Sequence, residues 1–184
     1  MKSHRAGANG SAMKKFFAAM RYRLSLLALA ASVLLAPSAG LAQGTDTSLP
    51  IPRFVSLRSD EVNLRFGPGQ QYPIEWVLNR ASMPVEITQE YETWRKIRAV
   101  DGTEGWVHQR MVAGKRTAIV IGTEPQILRR RPEANGPAVA RLEPGVIGDL
   151  KECKGDWCRL ELPKVRGWLR RAEIWGVYPK ETFE

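Results

Sequence analysis

The 184-residue chain carries 28 Lys and Arg against 19 Asp and Glu, a formal net charge of +9. A surplus of that size invites a nucleic-acid partner, but six of the cations (Lys2, Arg5, Lys14, Lys15, Arg21 and Arg23) fall in the first 42 residues, which hold no acid. The remaining 22 cations face 19 acids, so no nucleic-acid partner is expected of the rest.

Those first 42 residues have the layout of a secretory signal: scattered cations, the apolar run Leu24–Ala36, Pro37, and small residues at Gly40 and Ala42. The run is 13 residues, shorter than the roughly 20 that a helix needs to cross the hydrocarbon core. The expectation is cleavage between Ala42 and Gln43, a periplasmic or secreted product and no stable membrane span after cleavage. An uncleaved anchor is the alternative. No cysteine lies directly after the run, so a lipid-anchored start is not supported, and Met1, Met13 and Met20 all remain open as the start.

The remaining 142 residues suffice for two minimal domains. The chain divides as 43–52, a flexible N-terminal segment; 53–114, a first small barrel; 115–178, a second; and 179–184, a tail. The division rests on an internal repeat. At an offset of 64, Phe54–Leu57 falls on Ala118–Ile121 and Leu64-Arg65 on Leu128-Arg129. At 63, Val85–Ile87 falls on Gly148–Leu150 and Trp94 on Trp157; at 62, Gly105-Trp106-Val107 falls on Gly167-Trp168-Leu169. The single-residue drift falls in turns, where insertions are tolerated. Short β-like runs alternate with Gly67-Pro68-Gly69, Asp101-Gly102, Asn135-Gly136-Pro137 and Lys154-Gly155-Asp156, and no stretch keeps a helical apolar period. The fold class expected is all-β, two tandem small barrels.

Val62–Gly69 (VNLRFGPG), the central Trp94 and Asp101–His108 (DGTEGWVH) resemble, in that order, the bacterial SH3-like (SH3b) domain family. Thr117–Val177 is similar with weaker motifs: Arg129-Arg130-Arg131-Pro132 stands in the opening loop, and no Asp-Gly precedes Gly167-Trp168. The chain looks like exported tandem SH3 proteins. The resemblance implies binding of a cell-wall peptide or an exported protein, without catalysis and without a cofactor. A structural role, in which the barrels pair with each other or self-associate, is the alternative. Oligomeric state is not legible.

Strand alternation places Trp94 and Trp106 of the first copy, and Trp157 and Trp168 of the second, opposite the aliphatic core residues, with His108 beside the first pair. One reading is an aromatic groove for a peptide or sugar, completed by Tyr72 and Tyr91 from loops. The other packs the rings under loops or between the barrels. Arg129, Arg130 and Arg131 form the sharpest charge run, either a solvated loop or an anion site.

Cys153 and Cys158 flank a hairpin-length loop and are expected to be disulfide-bonded, contributing roughly 2 kcal/mol. Because Leu150 and Cys153 cannot share a face of a flat strand, the pairing requires a bulge. A minor alternative is a Cys/His hydrolase, for which His108 is the single histidine beyond the signal. Zinc would need four ligands, and the thiols have no clustered partners, so no metal is expected.

Overall fold

In a computed structural model that describes residues 47–182, the short apolar runs become fourteen strands. The expected signal segment and its Ala42–Gln43 cleavage point lie outside the described residues. The first half holds β1 (Arg53–Leu57), β2 (Val62–Arg65), β3 (Ile74–Leu78), β4 (Pro84–Tyr91), β5 (Trp94–Arg98), β6 (Glu104–His108), a 3-10 turn at Gln109–Met111 and β7 (Val112–Ala113). The second holds β8 (Thr117–Val120), β9 (Gln126–Arg129), β10 (Ala138–Leu142), β11 (Ile147–Lys154), β12 (Trp157–Glu161), β13 (Arg166–Arg170), a 3-10 turn at Arg171–Glu173 and β14 (Ile174–Trp175). Each set forms an antiparallel sheet of seven strands, in the orders β3-β2-β6-β5-β4-β1-β7 and β10-β9-β13-β12-β11-β8-β14. Strand for strand the orders are the same, so the sequence repeat is a repeat of topology. Among the described residues there is no α-helix, and no helix long and apolar enough to cross a membrane.

Pairing corrects one part of the repeat. Val55 faces Val85 and Leu57 faces Val112, while Ala118 faces Gly148 and Val120 faces Ile174. Val55 and Leu57 therefore correspond to Ala118 and Val120, an offset of 63 at the first strand rather than 64. The slip has a physical origin. Phe54–Leu57 and Thr117–Val120 are buried on both faces, so they lack the alternation that fixes register.

One face of each of these strands fills its own barrel. Val55, Leu57, Val62, Leu64, Val85, Ile87, Ile97 and Val107 make the first core. Ala118, Val120, Leu128, Leu142, Leu150, Leu160, Leu169, Ile174 and the two cysteines make the second. The opposite faces meet at a joint between the barrels. Phe54 packs edge-on against Trp175, with centroids 4.9 Å apart, and tilted against Tyr178 at 4.7 Å. The Thr117 hydroxyl donates to the Ser82 carbonyl (2.8 Å), and the Tyr178 hydroxyl to Glu86, which is 3% exposed and ion-paired to Arg98. Gly176, at φ +123°, lies so close that a Cβ would stand 2.5 Å from the Thr117 carbonyl oxygen, so the crossing needs glycine.

The β4–β5 and β11–β12 hairpins each carry a bulge, at Thr88 and at Lys151. The second is the bulge that the cysteines require, and it brings Cys153 opposite Cys158, bonded at 2.04 Å. In the first barrel the corresponding pair is Glu90 opposite Arg95. A buried ion pair thus occupies the position of the disulfide, with side chains only 8% and 2% exposed. Such a pair holds only when its remaining polar atoms are satisfied. Arg95 donates to Gln109 and to the Glu92 and Trp94 carbonyls, while Glu90 accepts from Arg53 and from the backbone and hydroxyl of Thr47. Thr47, in the segment ahead of β1, is thereby joined to the hairpin.

Replacing both cysteines with alanine is expected to lower the stability of the second barrel by about 2 kcal/mol, read as an earlier urea midpoint. Burial by itself would raise the pKa of Glu90, but the hydrogen bonds from Arg53 and Thr47 outweigh it and hold the carboxyl below its ordinary 4.5. A depressed carboxylate contributes stability above its unfolded pKa and loses it as pH falls through the folded value. Glu90→Gln leaves Arg95 uncompensated, at a cost of about 3–5 kcal/mol near neutrality. Urea titrations across pH should show the gap between wild type and variant closing below 4.5; a pH-independent gap would contradict the assignment.

Candidate functional site

The outward face of the first barrel is built by strand alternation. On β5 and β6, core residues Ile97 and Val107 alternate with Trp94, Lys96, Trp106 and His108, which point the other way and are half-buried. Antiparallel register lines these side chains into cross-strand rows. One row runs Gln89, Lys96, Trp106, Arg65 and Ile74 across five strands. The next runs Tyr91, Trp94 and His108, with the indole of Trp94 edge-on to the imidazole at 5.6 Å. The second barrel repeats the plan as Glu152, Arg159, Trp168, Arg129 and Ala138, and as Lys154, Trp157 and Arg170. There Arg170 sits over the Trp157 ring at 5.5 Å, a cation–π contact.

Of the residues singled out from sequence, Tyr91, Trp94, Trp106 and His108 therefore share one face, and Trp157 and Trp168 share the equivalent face of a separate sheet. Tyr72 lies off these rows, in the 66–73 loop, its ring against Gly67, where a Cβ would come within 2.6 Å of it. Arg65 pins that loop by donating to the carbonyls of Gln70 and Tyr72. Arg129, its counterpart, donates to the Gly136 carbonyl. The three consecutive arginines do not act together: Arg129 holds its loop, Arg131 pairs with Glu133 at 2.9 Å, and Arg130 is exposed. Asp101-Gly102 makes an Asx turn in which Asp101 accepts from the Thr103 backbone, and that bond holds its carboxyl below the ordinary range.

The sulfurs of Cys153 and Cys158 are bonded to each other, and His108 lies in the other barrel, accepting from the Arg110 backbone. A Cys/His pair for nucleophilic chemistry is therefore not assembled. The aromatics that do lie between the barrels are Phe54, Trp175 and Tyr178, none of them among the candidates.

Sequence reasoning also missed a patch. Strand β3 ends its sheet and is exposed along nearly its whole length. Ile74, Trp76 and Val77 are 46%, 57% and 44% exposed, and Phe66, just beyond β2, is 67% exposed. Register identifies their counterparts in the second barrel as Ala138, Ala140, Arg141 and Arg130. The same backbone positions are thus apolar and aromatic in one copy and small or charged in the other. The available signal was the repeat itself, read for differences instead of matches.

A family model described as bacterial SH3 domain matches this chain twice, over residues 58–114 and 122–176. No curated protein matches it. Among solved structures, an NlpC/P60 family protein from Bacillus cereus ATCC 10987 is similar at 13% identity and a TM-score of 0.30, over 66% of this chain and 55% of that one.

Proposed function

The chain belongs to the bacterial SH3 domain family, and we propose that it is an exported, non-catalytic binding module that takes an extended peptide, of the cell wall or of another exported protein, on its first barrel. The observation that carries this reading is the β3 edge, with Phe66, Ile74, Trp76 and Val77 exposed beside the row that contains Trp106. A terminal strand has unused backbone donors and acceptors, and an extended peptide can add to it as a further strand with its side chains on the apolar patch. Arg65 joins the patch to the outward face, since it is in register with both Ile74 and Trp106. Four half-exposed side chains fall well short of the ~800 Å² per partner of a standard protein–protein interface, so a short segment suits the patch better than a globular surface. Export rests on the signal-like layout of the first 42 residues.

The structural alternative has its own support in the joint between Phe54, Trp175 and Tyr178, which pairs the barrels within one chain. Sedimentation across concentration tests its extension to self-association: a concentration-dependent dimer favours it, and a monomer throughout removes it.

Pull-down of the purified chain with isolated wall material and with periplasmic peptides tests the main reading. Trp76→Ala and Trp106→Ala should each weaken binding about tenfold or more, as anchor aromatics do, with stability changed by no more than about 0.5 kcal/mol at the exposed Trp76; Trp106 is half-buried, so its variant is compared with wild type only where its urea midpoint shows it folded. Trp168→Ala in the second barrel should leave binding intact. Binding indifferent to both first-barrel changes would sink the proposal.

A further inference from the structure

A hollow of about 490 Å³ lies on the first barrel between the Thr47–Leu49 segment, β1, the 3-10 turn and β7. Its walls carry Arg53, Arg58, Arg95 and Arg110, and among the described residues no carboxylate lines it. Leu49 and Val112 add apolar surface. The volume lies within the usual range for small-ligand sites, as does the combination of apolar wall and a few convergent polar groups. A larger hollow, about 680 Å³, lies at the joint, where Lys115 is paired to Asp149 at 2.7 Å; in the smaller one Glu90 takes Arg53 and Arg95, and Arg58 and Arg110 are the cations that remain to meet a ligand.

Two further observations bear on the smaller hollow. Arg53 holds Glu90 through Nη2, while its Nη1 is buried and has no hydrogen-bond partner among the described residues. A buried guanidinium N–H without an acceptor is a costly arrangement that a native structure seldom keeps without a use. The second copy supplies an internal control. By strand register, Arg58, Arg95 and Arg110 correspond to Ile121, Cys158 and Ala172, and only Arg53 keeps a cation, Arg116. Arg95 is matched to Glu90 where the second barrel has its disulfide, but Arg58 and Arg110 stand at positions where the same fold does without a cation.

We propose that this hollow binds the terminal carboxylate of a short peptide, with the adjoining apolar side chain against Leu49 and Val112 at its mouth. Arginine presents paired donors that match a carboxylate, and the wall already demonstrates the match by holding that of Glu90 between Arg53 and Arg95. Arg58 and Arg110, both exposed, stand at the rim. The hollow and the β3 patch occupy different strands, so this site stands or fails separately from the peptide-edge reading.

The test is a calorimetric and NMR titration of the purified chain with N-acetyl-Leu-Ala as the free acid, with the same dipeptide as its amide, and with inorganic phosphate. The free acid should bind saturably, the amide at least tenfold more weakly, and phosphate more weakly than the acid. Arg58→Gln/Arg110→Gln should weaken the free acid at least tenfold with an unchanged melting midpoint and unchanged retention on wall material. Because both rim residues are exposed, the variant keeps the Glu90 network and its fold. Equal affinity for acid and amide, no saturable binding of the acid, phosphate binding as tightly as the acid, or full affinity in the double variant would each overturn the proposal.

Discussion

Each barrel closes its longest hairpin at one buried cross-strand position, and much else in the molecule depends on how that position is filled. A domain of about sixty residues has little core to spare. The second barrel uses a covalent bond there, Cys153 to Cys158, which asks nothing of its surroundings. The first uses Glu90 and Arg95, and a buried ion pair demands donors and acceptors for every remaining atom. Arg53, Thr47, Gln109 and the carbonyls of the hairpin turn supply them, so the N-terminal segment and the 3-10 turn are drawn into the network.

The disulfide relieves the second barrel of that obligation, and the counterparts serve elsewhere. Arg116, equivalent to Arg53, pairs with Glu181; Arg171, equivalent to Gln109, donates to the carbonyls of Gly155, Tyr178 and Glu181. These bonds fold the segment 178–181 back onto the barrel, and Tyr178 is thereby presented to Phe54 and Glu86 of the first. Burial and the neighbouring Glu86 carboxylate push the Tyr178 hydroxyl well above its ordinary pKa, so it remains a donor throughout the physiological range. Covalent closure of one hairpin and the docking of two barrels are linked through two arginines.

Most of the fold was legible because it rests on local alternation. The outward placement of Trp94, Trp106, Trp157 and Trp168 followed from parity with Ile97, Val107, Leu160 and Leu169, and the need for a bulge from Leu150 and Cys153. Where alternation fails, legibility fails with it. Phe54–Leu57 and Thr117–Val120 serve a core on one face and the joint on the other, so their apolar runs carry no register. Arg95 occupies an inward position, 1% exposed, against the alternation rule for a charged residue, and the facing Glu90 explains it. The exposure of Phe66 and Trp76 was not legible, because exposure at a sheet edge leaves no mark on composition.

Two copies of one topology in a single chain separate what the fold requires from what it merely permits. Positions alike in both barrels, such as the arginine that pins the 66–73 and 130–137 loops, or the indole set between two cations, are compatible with a purely structural role. Positions that differ on matching backbone are not dictated by the fold, except where, as with Glu90/Arg95 and Cys153/Cys158, they are two ways to close the same hairpin. The apolar β3 edge and the arginine-lined hollow belong to this second class, and both lie on the first barrel. The corresponding surfaces of the second barrel carry Arg130 and Arg141 at the edge, and charge there discourages strand addition. One barrel thus carries an apolar edge where the other is charged, and the two pack together at Phe54, Trp175 and Tyr178.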